Sequence, residues 1–260
     1  MSAPLLETRE LTIAFGGHVA VNAVSCAFER GTLTALVGPN GAGKTTYLNL
    51  ISGQLAATAG DVLLDGKSLV RTSASTRARR GLGRAFQLTN LFPNLTVLEN
   101  VRLAVQAKQG GGLNLVRRAA TYTGLTDRAR HWLEQVQLSD RAAALAAALP
   151  HGDQRKLEVA LMLALEPEVF LFDEPTAGMS LDEVPVVLGL IEKIKAEGGK
   201  CILLVEHKMD VVRRLADRVI VLHNGKLLAD GEPAAMIASP LVQEAYLGQT
   251  PQAGPAGRQS

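Results

Sequence analysis

The chain has 260 residues, of which 47% are hydrophobic, 4% aromatic and 20% charged. That is the balance of one large globular domain, or of a core with one insertion, and it excludes a disordered or fibrous chain. With 27 Lys plus Arg against 25 Asp plus Glu, the formal net charge of +2 is too small to imply bulk binding to nucleic acid.

The first 30 residues hold two β-branched, apolar stretches, 11–15 and 19–28, around the turn Gly16-Gly17, which predicts an antiparallel hairpin at one edge. Short apolar runs then recur at Leu33–Val37, 169–172, Cys201–Val205 and 219–222, of the length expected for strands covered on both faces. Helical patterns at Lys44–Ser52, 153–164, 181–196 and 208–215 alternate with them, so the expected fold class is α/β with a mostly parallel sheet.

Over residues 88–149 the strand signal gives way to apolar residues at helical spacing: Val97, Val101 and Val105, then Leu125, Ala129, Trp132, Leu133 and Val136. A helical insertion is expected there, with a connection at Gly110–Gly112, the basic pair Arg117-Arg118, and Trp132 packed inside it. Residues 1–87 and 150–248 should form the rest of one domain, and the Gly-, Pro- and Gln-rich residues 249–260 a flexible tail. Cys26 and Cys201 lie far apart and outside metal-ligand spacing, so neither a disulfide framework nor a zinc site is expected. The longest apolar run, 142–149, is far short of the roughly 18 to 20 residues that cross a bilayer as a helix. The first ten residues lack a basic stretch followed by a long apolar one, so a secretory signal is not expected and a cytoplasmic location fits.

Two motifs carry chemistry. The residues Gly38, Pro39, Asn40, Gly41, Ala42, Gly43, Lys44 and Thr45 satisfy G-x-x-x-x-G-K-[ST], directly after a predicted strand and before a predicted helix. Such glycines let the backbone wrap phosphate oxygens with its N–H groups, and the helix dipole favours negative charge. Lys44 would bridge the β- and γ-phosphates and Thr45 would offer a hydroxyl to Mg²⁺. The second motif is the apolar run ending in Asp173 and Glu174. A buried parallel strand delivers its last residues to the carboxyl edge of the sheet, where ligands of such sheets bind. Asp173 could hold Mg²⁺ through water and Glu174 could polarise the attacking water; the plain alternative is that the pair caps the turn at Pro175.

Taken with Phe15, Gln87, the segment 149–154, Ala177-Gly-Met-Ser180 and His207 in that order, the chain resembles the ATP-binding-cassette ATPases over about residues 5–247. The resemblance implies a P-loop core with an N-terminal antiparallel β subdomain and a helical insertion. It implies ATP and Mg²⁺ as ligands, Phe15 stacking on adenine, and Thr46 completing the phosphate loop. Gln87 would reach Mg²⁺ and the water, and His207 the γ-phosphate. Gly152, Asp153 and Gln154 match the family signature, normally Leu-Ser-Gly-Gly-Gln, and would serve the nucleotide of an opposing subunit. Pro150 stands where the signature serine would be and His151 where a glycine would be, which removes one hydrogen bond to that nucleotide.

A finer resemblance, carried by Phe15-Gly-Gly17, Asn49, His151-Gly-Asp-Gln-Arg155, Ala177-Gly-Met179, Val205-Glu-His207 and Glu244-Ala-Tyr-Leu-Gly248, is to the ATPase subunits of branched-chain amino acid importers and their urea and amide relatives. It implies a second, different ATPase chain, two membrane permease subunits and, indirectly, a solute-binding protein as partners, with no nucleic acid. The stretch 88–95, with exposed-looking Leu91 and Phe92, is where a short helix of a membrane subunit would dock. A cassette ATPase acting on nucleic acid or the ribosome is the alternative, but the long coiled-coil insertions, tandem cassettes or basic arms of such relatives are missing here.

Overall fold

A computed structural model describes residues 3–85, 91–109 and 119–247. Gln87, the glycines 110–112, Arg117, Arg118 and the tail 249–260 lie outside the described residues. In chain order the first part comprises β1 (Leu6–Phe15), β2 (His18–Phe28), β3 (Leu33–Val37), α1 (Lys44–Ser52), β4 (Ala59–Leu64), β5 (Lys67–Ser68), α2 (Ala74–Arg79) and β6 (Leu82–Ala85). The insertion follows with α3 (Val97–Lys108) and α4 (Ala119–Gln135). The chain then returns through α5 (His151–Ala164), β7 (Val169–Asp173), α6 (Val184–Ala196), β8 (Cys201–Val205), α7 (Met209–Leu215), β9 (Arg218–His223), β10 (Lys226–Gly231), α8 (Pro233–Ala238) and α9 (Pro240–Leu247).

The strands form two sheets. One has six strands in the order β10-β9-β3-β8-β7-β6, parallel except for β10. All five residues of β3, β7 and β8 are buried, which is why each is an unbroken apolar run in the sequence. Register aligns Leu36 and Asp173 with Val205, Val37 with Val221, and Ala85 with Phe172. Four parallel strands therefore end side by side at one edge. The hairpin predicted for that sheet's edge belongs instead to a second, antiparallel sheet ordered β2-β1-β4-β5. Its inner face, with Leu6, Val24 and Phe28, packs over α1 and the core sheet, and the buried Tyr47 hydroxyl meets that of Thr8 at 2.7 Å.

In the insertion the expected apolar stripe is buried: Val97, Val101, Val105, Ala129, Leu133 and Val136 are each at most 1% exposed. They join Leu157, Leu163, Phe170 and Leu190 in one cluster, so the insertion is welded to the core and not a separate body. The apolar run 142–149 forms no α-helix; it holds the 3₁₀ turn Ala146–Ala148 and a bridge from Leu145 back to Thr96. Trp132 is partly buried and lies at the seam with Leu163, Phe170 and Leu190, not within the insertion alone. Two helix starts also move. α5 begins at His151, so Gly152 and Asp153 sit in its first turn. α6 begins at Val184, where Pro185 near the start fits because that position needs no N–H donor. Among the described residues no helix is long and apolar enough to cross a membrane.

Candidate active site

The phosphate loop joins β3 to α1, and two of its glycines are dictated by contact. At Gly38, with φ 147°, a Cβ would stand 2.1 Å from the Leu222 carbonyl oxygen; at Gly43, with φ 97°, it would stand 2.5 Å from that of Ala20. Any side chain would push the loop off β9 and β2. Gly43 caps α1, and no acidic residue occupies the helix's first turn, so its free N–H groups and dipole favour an anion. Lys44 is buried, and its Nζ donates to the carbonyls of Gly38 at 2.7 Å and Pro39 at 3.0 Å. Burial pulls its pKa down, while Glu174 and Asp173 pull it back up. The ammonium is thus held in the loop by neutral acceptors, for which phosphate oxygens are stronger replacements.

Asp173 closes β7 and is almost fully buried. Its Oδ1 accepts from the Thr45 hydroxyl at 3.3 Å and its Oδ2 from Arg84 Nη2 at 3.0 Å. Burial raises the Asp173 pKa and the Arg84 guanidinium opposes that rise. Arg84, on β6, also donates through Nη1 to Asn49 and to Ser52 at 3.0 Å, which ties β6 to α1 behind the phosphate loop. Thr45 and Asp173 together offer hard oxygen donors of the type Mg²⁺ prefers. Neighbouring Glu174 is only partly buried and has φ 48°, a left-handed backbone that costs a non-glycine residue roughly 1–2 kcal/mol. Its N–H is held by the Val205 carbonyl at 3.1 Å, so β8 fixes the turn that aims the carboxylate outward.

His207 follows β8, and its Nδ1 lies 3.8 Å from Glu174 Oε1. The turn is shaped by Glu206, which is buried and accepts from the backbone N–H of His207 at 3.1 Å and of Lys208 at 3.3 Å, and from the Thr176 hydroxyl at 3.1 Å. Lys44, Thr45, Asp173, Glu174 and His207 are therefore brought to one sheet edge by three neighbouring strands. Phe15 stands 50% exposed at the end of β1, beside the hairpin turn.

Gly152, Asp153 and Gln154 form a second group at the start of α5. Gln154 Nε2 donates to the Leu149 carbonyl at 2.9 Å, and Asp153 pairs with Lys156 at 3.0 Å. A Cβ on Gly152 would lie 2.2 Å from Glu183 Oε2, and that carboxylate accepts from the Ser180 N–H and hydroxyl and lies 3.4 Å from Lys156. Arg84, Glu206 and Glu183 were not singled out from the sequence. A buried charge paired 89 residues away leaves no periodic signal; the acid beside His207 and the Ser-x-x-Glu spacing were the visible hints.

A glycine loop between a central parallel strand and a helix, with an acid-ended strand beside it, defines a P-loop nucleoside triphosphatase. Within that class the chain belongs to the ABC transporter family, whose model matches residues 21–177. It is 37% identical over 258 residues to the high-affinity branched-chain amino acid transport ATP-binding protein BraF of Pseudomonas aeruginosa, covering 96% of this chain and 100% of that one. To LivG of Escherichia coli, described in the same words, it is 38% identical over 255 residues, with the same coverage. Among solved structures it is similar to an ATP-binding cassette in its ADP conformation, with a TM-score of 0.79 and 27% identity over 95% of this chain and 100% of that one. A dimeric cassette in a post-hydrolysis state, bound to ADP and Pi, matches at TM-score 0.77 and 26% identity over 88% of this chain and 98% of that one. The chain is accordingly an ATP-binding, ATP-hydrolysing transporter subunit.

Proposed function

We propose that this subunit energises an importer of branched-chain amino acids, or of the urea and amide class, from the cytoplasmic face of the membrane. The reading of the cargo is supported by the full-length similarity to BraF and LivG. The reading of the chemistry is carried by one observation, the convergence of Lys44, Thr45, Asp173, Glu174 and His207 at the ends of adjacent strands. Lys44 and the loop N–H groups hold the phosphates, and the Glu174 carboxylate takes the proton of the water that attacks the γ-phosphate. His207 contacts that phosphate from the end of β8, and Phe15 stacks on the adenine. Gln87, outside the described residues, takes the role that the family resemblance gives it, contact with Mg²⁺ and the attacking water. Thr45 and Asp173 would hold Mg²⁺, which would supply charge neutralisation to the phosphates.

Gly152, Asp153 and Gln154 act on the nucleotide of a second, different ATPase chain. With Pro150 in place of the signature serine, that opposite site lacks one hydroxyl donor and relies on the amino end of α5. Two permease subunits, and through them a solute-binding protein, complete the machine. Their contact includes Phe92, which is 57% exposed. Leu91, expected to be exposed beside it, packs instead against the insertion's core. Asn100 holds this turn, accepting from the Phe92 N–H at 2.8 Å and donating to the Phe92 and Thr96 carbonyls.

Glu174→Gln keeps the acid's shape without its basicity, so ATP should stay bound while hydrolysis falls by roughly 10²-fold or more. Turnover and nucleotide binding by the complex purified from membranes measure this, and normal turnover would reject Glu174 as the base. Phe92→Ser should lower transport with ATP affinity unchanged; unaltered uptake in vesicles would reject the docking role.

A further inference from the structure

A cavity of about 330 Å³ opens where the insertion meets the core. Its floor is apolar and is drawn from four elements: Trp132 of α4, Leu163 of α5, Phe170 of β7, and Leu190 and Ile194 of α6. Its rim, lined as well by the polar His131 and Gln135, carries charge of both signs, from Glu166, Lys193, Glu197 and Lys200. Two of these are engaged, since Lys193 donates to Gln135 at 2.6 Å and Glu166 pairs with Arg128 at 2.6 Å. The other two, Glu197 and Lys200, flank the turn Gly198-Gly199 after α6 and have no ion-pair partner among the described residues.

We propose that this cavity binds an apolar α-amino acid, with its side chain on the Trp132–Phe170 floor, its carboxylate at Lys200 and its ammonium at Glu197. The volume is at the small end of ligand sites, suited to one small molecule. A nucleotide or other phosphate would meet Glu166 and Glu197, and an uncharged apolar ligand would leave both free charges unused. A compact zwitterion with an apolar body answers floor and rim together. Because the walls come from both the insertion and the core, a ligand that fits one placement of α4 against α5 and α6 favours that placement over others. Identifying the ligand with the imported cargo rests on the importer reading; the binding itself does not.

Trp132 is the single tryptophan of the chain, so its emission reports the cavity wall directly. Titrating the full chain with L-leucine should give a saturable change with a midpoint at or below about 1 mM. Isoamylamine lacks the carboxylate and 4-methylpentanoate lacks the ammonium, and each should bind about tenfold more weakly. Lys200→Gln should weaken L-leucine by a similar factor without further weakening isoamylamine, and Glu197→Gln should do the same with respect to 4-methylpentanoate. No saturable response, equal binding of all three compounds, or L-leucine binding untouched by both substitutions would each overturn the site. If L-leucine binds as expected and the assembled transporter does not move branched-chain amino acids, the site stands and the cargo reading falls. Transport of those amino acids without a Trp132 response removes the site alone.

Discussion

Arg84 shows how one buried side chain can serve both stability and chemistry. Its guanidinium offsets a carboxylate that burial would otherwise neutralise, and it braces β6 against α1. Arg84→Met should cost about 3–5 kcal/mol, the usual penalty for leaving a buried charge unpaired, read from the denaturation midpoint. The sign of its effect on activity follows from the same pair. Arg84 opposes the rise that burial gives the Asp173 pKa, and in its proposed role as a Mg²⁺ ligand Asp173 must be ionised. Without Arg84 the acid limb of the pH–turnover profile should therefore move to higher pH. Glu206 acts by position: its carboxylate gathers the N–H groups that turn the chain at His207. Glu206→Ala should cut hydrolysis by roughly tenfold or more while ATP affinity persists, because misplacement of a reacting group by about 1 Å is enough. Loss of ATP affinity in parallel with turnover would reject that role. Arg84 was not legible in advance because its carboxylate partner lies 89 residues away, and the role of Glu206, visible only as the acid beside His207, depends on a turn that the sequence does not specify, whereas the phosphate loop is a contiguous motif whose spacing encodes its shape.

Elements differ in legibility for a related reason. β3, β7 and β8 are buried on both faces, so the sequence shows them as continuous apolar runs. β4, β5 and β10 have mixed or exposed faces, and β6 is four residues long with Gly83 and Arg84 inside it, so none stands out. Helix α3 was readable from its stripe, and its start is fixed by the Thr96 hydroxyl accepting from the Glu99 N–H at 3.1 Å. The Glu99 carboxylate pairs with Arg102 instead of reaching back, so the cap is one-sided. Thr96→Ala should cost about 1 kcal/mol in urea denaturation. Sheet membership came from the family resemblance, which implied the separate antiparallel β subdomain, and not from the hairpin pattern. A hairpin signal specifies two strands and a turn, but which sheet they join is decided by Leu6, Val24 and Phe28 packing over α1, a long-range matter.

For the molecule as a whole, the two cysteines report on cooperativity. Burial pushes the Cys201 thiol up to about 12 and raises that of Cys26 as well, so neither supplies thiolate in the native fold. A thiol reagent at pH 8 should label both only as fast as the chain opens, and mild denaturant should accelerate labelling in step with global unfolding. Rapid labelling of native protein would show that the two sheets separate independently. The contact between Gly152 and Glu183 has a mechanical meaning at this scale. Too close for even a methyl group, it joins the amino end of α5 to the Ser180 segment that trails Glu174. The Glu183 carboxylate, held by Ser180 and Lys156, is the go-between, and a side chain at position 152 would have to displace it from both. In the proposed pairing of two cassettes, that carboxylate would be the place where news from the Ser180 segment reaches the amino end of α5.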